Sequence, residues 1–275
     1  MTESIYKMSV VVCPERIVTV FRHLIKVFCY ELNISRIETD VNVILSLRDE
    51  KVILFGAQEL CKYYGYSMFL KSNSVYLYNT EQLQSGVWDY FINLSCGVKE
   101  WWDYSNVNIS YLTRFNYTCK HVPFLYSKAL ELDLSERLNK DKITFFGTHH
   151  PRREEICNRL RNMEIDVEYN ISGTLVDKEY DDYIRENGVY VNIHYYTPSI
   201  LEIVRITPLL SQGHFVISER SDDKELDALF GDCVVWLDDI FTKGKEWLSS
   251  KIREHNNKEM KEKFSRIEIN LKNLI

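Results

Sequence analysis

The feature that most constrains this chain is a rhythm. Short apolar runs alternate with amphipathic helical patterns through both halves. Such alternation specifies an α/β fold, with parallel strands covered by helices on both faces. In the first half, the runs Ser9–Cys13, Lys51–Gly56, Ser74–Asn79 and Lys99–Asp103 read as strands. Pro14 opens a helix whose Ile17, Phe21, Leu24, Ile25 and Phe28 share one face, and a short helix spans Gln58–Tyr64. In the second half, Lys142–Gly147, Ile165–Tyr169, Val189–His194, Phe215–Ser218 and Cys233–Trp236 are the strands. A helix carries Ile156, Leu160 and Met163 on one stripe, and two more run over about Ile200–Ser211 and Asp223–Phe230.

A polar stretch from Asp133 to Lys140 separates the halves. It predicts an N-terminal Rossmann-like domain over 1–135 and a C-terminal one over 136–275. At 275 residues the chain suits two domains of ordinary size. The tail from Lys245 to Ile275 reads as one long helix, with Met260, Phe264, Ile267, Leu271 and Leu274 as its apolar stripe.

Composition removes some function classes. The formal net charge of -6 gives no support to a nucleic-acid partner. No apolar run reaches membrane-spanning length, so any membrane contact would be peripheral. Met1–Lys7 lacks the pattern of a signal peptide. Seven cysteines include no CxxC pair, which predicts reduced thiols and a cytoplasmic protein. Alanine is scarce while Ile, Asn, Lys and Tyr are plentiful, as in an AT-rich viral or low-GC microbial genome. For a virus the compartment would be the host cytoplasm. No GxGxxG or GxxxxGK[ST] motif follows any strand, which disfavours a dinucleotide oxidoreductase and a P-loop enzyme.

Two segments carry candidate chemistry. Gly147-Thr-His-His-Pro-Arg-Arg-Glu154 joins a strand to a helix start. Helix N-termini favour anions, and Arg152 and Arg153 add guanidiniums suited to phosphate. They form either a diphosphate clamp or the solvated first turn of a surface helix. The second segment runs from Asn192 to Glu219. Thr197 is expected to cap its helix and Pro198 to take the first position. Glu202 and Arg205, three apart, share a face of that otherwise apolar helix. Burying such a pair is expensive, so a ligand role is favoured over a plain ion pair. Tyr195, Ser218 and Glu219 lie at strand carboxyl ends, where such folds bind ligands. His149 belongs to the first segment, and Gly147 ends its strand.

The order of Tyr78–Leu83, Trp102–Asn106, Val122–Ser127, Asn192–Tyr196, Leu201–Ile206, Leu210–Gly213 and Val216–Glu219 resembles GT-B glycosyltransferases of giant viruses, marine phages and bacteria. The resemblance covers roughly residues 50 to 235. It implies two Rossmann-like doubly wound domains and a last helix that crosses back to the first. It implies a nucleotide-sugar donor on the C-terminal domain and a glycan or protein acceptor on the N-terminal one. Gly147, His149, Arg152, Arg153, Tyr195, Glu202, Arg205, Ser218 and Glu219 would bind the donor: Arg153 and Arg205 at the diphosphate, Glu202 at the ribose. Glu81 and Asp103 are the candidate bases; an N-terminal cap is the competing role for Asp103. His149, His150 and His194 are lesser candidates.

No cofactor and no metal site are expected: the chain has no Asp-x-Asp motif, and no third ligand joins His149 and His150 with suitable spacing. Positions 194 and 210 are His and Leu, so the Glu-x7-Glu pair of a large retaining family is absent. The competing expectation is a non-catalytic nucleotide-sugar or glycan-binding subunit of the same fold.

Overall fold

The computed structural model describes residues 8–134, 138–171, 177–269 and 271. The expectations for Met1–Lys7, for Leu274 and for part of the polar linker fall outside those residues. The chain divides into two units, residues 1–124 with 269–275, and residues 125–268. The division falls before the expected 135/136 boundary.

The first unit holds one parallel sheet. Its strands are β1 (Val10–Val12), β2 (Ile37–Glu38), β3 (Lys51–Leu54), β4 (Ser74–Asn79), β5 (Glu100–Asp103) and β6 (Cys119–His121). Their order is β2-β1-β3-β4-β5-β6, every neighbouring pair being parallel. Connecting helices are α1 (Glu15–Leu32), α2 (Val41–Ser46), α3 (Ala57–Leu60), α4 (Tyr66–Ser72), α5 (Asp89–Leu94) and α6 (Asn106–Leu112). One sheet face presents Val10, Val12, Val52, Leu54, Val75, Leu77 and Trp101 to residues of α2 through α6. On α1, Phe28 packs edge-on against Phe55 and Tyr78, at ring distances of 5.3 and 5.1 Å. Strands buried on both faces must be continuously apolar, which is why the sequence shows them as runs. Strands β2 and β6, at the sheet edges, have no such run.

The second unit holds β7 (Ile143–Gly147), β8 (Val167–Ile171), β9 (Val189–Asn192), β10 (Phe215–Ser218) and β11 (Val235–Trp236), in the order β11-β10-β9-β7-β8. All pair in parallel. Its helices are α7 (Pro151–Asn162), α8 (Asp177–Glu186), α9 (Ile203–Gln212), α10 (Lys224–Phe230), α11 (Leu237–Lys243), α12 (Lys245–Glu254) and α13 (Asn257–Phe264). Ile143, Phe145, Val191 and Ile217 form a core with Cys157 and Leu160 of α7 and Ile240 of α11. Each such fully buried side chain contributes about 1.5–3 kcal/mol.

Both units are therefore doubly wound and Rossmann-like. In each, the second strand lies on one side of the first and the third on the other. That reversal opens a crevice at the strand carboxyl ends, between β1 and β3 in one unit and between β7 and β9 in the other.

The tail differs from its sequence pattern. It is not one helix but α12 and α13, broken at His255–Asn256, and both belong to the second unit. Asn256 caps α13 by accepting from Lys258 N and Glu259 N. Of the residues beyond them, Ile269 and Leu271 are buried and belong to the first unit. Gly213 explains how closely α13 packs. It ends α9 at φ +88°, and a Cβ there would stand 2.2 Å from Asn257 O. Among the described residues no helix is long and apolar enough to cross a membrane. The seven cysteines are unpaired; Cys13, Cys157 and Cys233 are buried and Cys96 is exposed.

Beside Gly213 lies His214, fully buried, with Nε2 3.2 Å from Gln212 Oε1 and Nδ1 without a partner. Burial, reinforced by the charges of His255 and Lys140, pushes its imidazole down to about 3. The unfolded imidazole takes its proton near 6.5. Below that pH the unfolded state binds more protons than the folded one. Stability is expected to fall by about 1.4 kcal/mol per pH unit until about pH 3. His23 and Glu81 titrate across the same range, so urea melts between pH 6.5 and 4.5 should show this slope as the difference between the wild type and His214→Gln. A slope unchanged in the variant would assign the acid sensitivity elsewhere.

Candidate functional site

The β7/β9 crevice gathers most of the polar residues singled out in the sequence. Strand β7 ends at Gly147, where a Cβ would stand 2.7 Å from Phe145 Cζ and 2.9 Å from Arg153 Nη1. Only a missing side chain lets the Arg153 guanidinium pass the strand end. His150 then caps α7, its Nδ1 accepting from Arg152 N at 3.3 Å. Pro151 takes the first helical position, where a missing N–H costs nothing.

Arg153 is buried and bonded through all three of its nitrogens. Nε donates to Ile193 O (2.9 Å), Nη1 to Thr148 O (3.1 Å) and Nη2 to Glu202 Oε1 (3.1 Å). Its guanidinium also lies over the Phe145 and Tyr195 rings, 5.3 and 5.2 Å from their centroids. Three of its five N–H donors tie the β7 loop to the β9 loop and to Glu202, so Arg153 already has a structural role where a diphosphate contact was expected.

Glu202 is the hub. Oε1 accepts from Arg153 and from Tyr195 N (3.3 Å), while Oε2 pairs with Arg205 Nη1 at 2.7 Å. Burial alone would raise its carboxyl; the charges of Arg205 and Arg153, with His194 beside it, more than offset that and hold it down to about 2. Glu202 does not sit within a helix: α9 starts one residue later, with Glu202 at the N-cap position. Thr197 and Pro198 are not its cap and first residue but part of an exposed loop, joined by a cis peptide bond. Reciprocal bonds fasten that loop, Ser199 N to Asp222 Oδ2 (2.7 Å) and Asp222 N to Ser199 O (2.8 Å).

Arg205 is more open than Arg153; their side chains are 24% and 3% exposed. It reaches Asn192 Oδ1 at 2.8 Å. Asn192 in turn donates to Ser218 Oγ (3.0 Å), which donates to Glu219 O (2.9 Å). Ser218 is fully buried and aims Asn192. Arg152 pairs with Glu219 through two parallel bonds, Nη1–Oε2 at 2.9 Å and Nη2–Oε1 at 2.6 Å. Both bind the chain at His194: Glu219 Oε2 accepts from its N (2.7 Å) and Arg152 Nη1 donates to its O (3.0 Å). Arg152 stays 35% exposed at its side chain. The three guanidiniums face Glu202 and Glu219, and the charge of Glu155 acts on Arg152 as well.

Around the charges lie rings. Tyr195 stands 4.6 Å from His150 and 5.0 Å from Tyr196 between centroids. His149 points to solvent, its side chain 54% exposed and Nε2 3.9 Å from Glu154. Sequence reasoning gave no role to Asn192 and none as a cap to His150, although both sit beside the charged residues it chose. His194, ranked low among the bases, is buried with both ring nitrogens unpartnered and Nδ1 3.9 Å from Glu202 Oε1.

The candidate bases belong to the first unit. Asp103 ends β5 with no exposure. Oδ1 accepts from Ser105 N (2.9 Å) and Asn108 Nδ2 (3.1 Å), and Oδ2 from Asn79 Nδ2 (2.6 Å). Those bonds fix the loops after β4 and β5. Ser105, not Asp103, caps α6, accepting from Val107 N. Glu81 follows β4, partly exposed, and accepts from Gln58 Nε2 at 2.8 Å. Burial, with the nearby Glu59 charge, raises its carboxyl to about 7.

No protein-family model matches the chain, and no curated protein matches it.

Proposed function

We propose that the chain is a GT-B glycosyltransferase whose second unit binds the nucleotide-sugar donor in the β7/β9 crevice. The observation that carries this reading is the cluster at that switch point. Arg205 and Arg152, the two arginines of the cluster with exposed surface, lie there beside a helix start. A nucleoside diphosphate asks for such a site: cations for the phosphates and a flat ring beside them for the base, here Tyr195. Glu202 contacts the ribose through whichever lone pairs its arginines leave, and it orients both cations.

In the transfer, an acceptor hydroxyl attacks the anomeric carbon and the bond to the diphosphate breaks. The electron pair leaves with the diphosphate, whose charge Arg205 and Arg152 offset. The hydroxyl proton goes to a base, for which Glu81 is the candidate within the first unit. Burial raises its carboxyl to about 7, which makes it a stronger base than an ordinary carboxylate. Asp103, with both oxygens occupied, acts by holding the loops after β4 and β5.

The reading is tested by heat-denaturation shifts with UDP-, GDP-, CMP- and dTDP-sugars. A shift with one nucleotide class is expected, and no shift with any would overturn donor binding. Donor binding without turnover or slow donor hydrolysis would favour the non-catalytic subunit instead. Glu81→Gln should lower turnover by about 10²–10⁴ while leaving donor affinity intact. The base works deprotonated, so wild-type rate should fall as pH drops through about 7. A Glu81→Gln enzyme with normal turnover would take the base role from this residue.

A further inference from the structure

Large apolar side chains at the surface are unevenly distributed. Among the described residues the exposed ones are Val20, Tyr30, Ile37, Val43, Tyr63, Tyr64, Met68, Val87, Tyr90 and Leu94, all in the first unit. Six fall between positions 61 and 99, on the outer side of one helical layer. Phe69 and Leu70 of α4 and Phe91 and Ile92 of α5 enter the same core. The opposite faces of these helices, with Met68, Tyr90 and Leu94, therefore lie outward. The segments adjoin: Tyr66 Oη is 2.7 Å from Ser95 Oγ, and Tyr90 Oη donates to Gln58 O at 3.3 Å. A Cβ on Gly97 would touch Leu70 Cβ at 3.0 Å. Tyr64, just before α4, is fully exposed.

Charge follows the same boundary. From 61 to 99 the exposed charged residues are Lys62, Lys71 and Lys99, with no exposed Asp or Glu among the described side chains. Lys62 pairs with Glu59 at 2.8 Å; Lys71 and Lys99 have no acidic partner among the described residues. Glu59 neutralises Lys62, and Glu81 and Asp89 in the same stretch are half-buried, so the exposed ammonium groups left over are those of Lys71 and Lys99. Tyrosines flanked by aliphatic side chains and lysines suit one environment well, the headgroup boundary of an anionic bilayer. There the rings sit at the interface and the ammonium groups reach lipid phosphates.

We propose that the surface formed by Tyr63, Tyr64, Met68, Val87, Tyr90 and Leu94, with Lys62, Lys71 and Lys99, docks the protein on anionic lipid membranes. Docking of this kind adds nothing to the crevice chemistry and is independent of what the second unit binds.

Vesicle flotation tests it, using phosphatidylcholine alone and roughly 7:3 phosphatidylcholine:phosphatidylglycerol. Binding is expected only to the anionic vesicles and should be lost in about 0.5 M salt. Lys71→Glu with Lys99→Glu should weaken binding more than about tenfold. Tyr64→Ser with Met68→Ser should weaken it by about tenfold through lost apolar insertion. Every substituted side chain is exposed, so melting temperature should not move, and a variant that fails to fold is replaced by its single substitutions. No binding to anionic vesicles at low salt would overturn the proposal. So would equal binding by all variants, or a concentration-dependent dimer that the same substitutions abolish.

Discussion

Arg205→Ala is expected to weaken nucleotide-sugar binding by about 10- to 100-fold while the protein stays folded. The fold survives because Glu202 keeps Arg153 and Tyr195 N as partners, and because Arg205 is the partly exposed member of the pair. The affinity falls because a charge-assisted bond to phosphate is worth about 1.5–3 kcal/mol. Arg205→Lys should recover part of this, since an ammonium supplies charge without the fork. Titration calorimetry reads both, and an unchanged dissociation constant in the alanine variant would remove Arg205 from the donor site.

Arg153→Met is expected to fail in the opposite way. It removes three donors from acceptors in two loops and leaves Glu202 with one cation fewer in a buried setting. Breaking one side of a buried pair costs about 3–5 kcal/mol. In a unit of this size that should lower the melting temperature by roughly 10 °C or more. The lowered carboxyl of Glu202 sets the pH dependence. Its stabilisation is present above the unfolded carboxyl range and is lost as pH falls toward about 2. A variant that melts like the wild type but loses nucleotide affinity would return Arg153 to the phosphate role.

These two arginines show how far the sequence could be read. The three-residue spacing of Glu202 and Arg205 places them on one face, and they meet as the ion pair ranked below a ligand role, even though the helix begins after Glu202. The fate of Arg153 was not legible. It depends on the carbonyls of Thr148 and Ile193, and a backbone acceptor leaves no mark on side-chain identity. The same limit applies to Asp103, whose bonds with Asn79, Ser105 and Asn108 consume a carboxylate that looks like a base.

For the fold, apolar runs disclosed every strand buried on both faces. They missed β2 and β6, where Ile37 and His121 are exposed and the runs are too short to show a period. The tail misled because spacings of three and four residues continue across a cap. Asn256 restarts the chain as a new helix, and only Phe264 of the described stripe is fully buried on α13.

The way the chain is partitioned has a practical consequence. Residues 125–268 run without interruption, and every residue of the crevice cluster lies among them. The first unit is sewn together from both chain ends. The unit that holds the crevice cluster can thus be moved as a single cassette with two junctions.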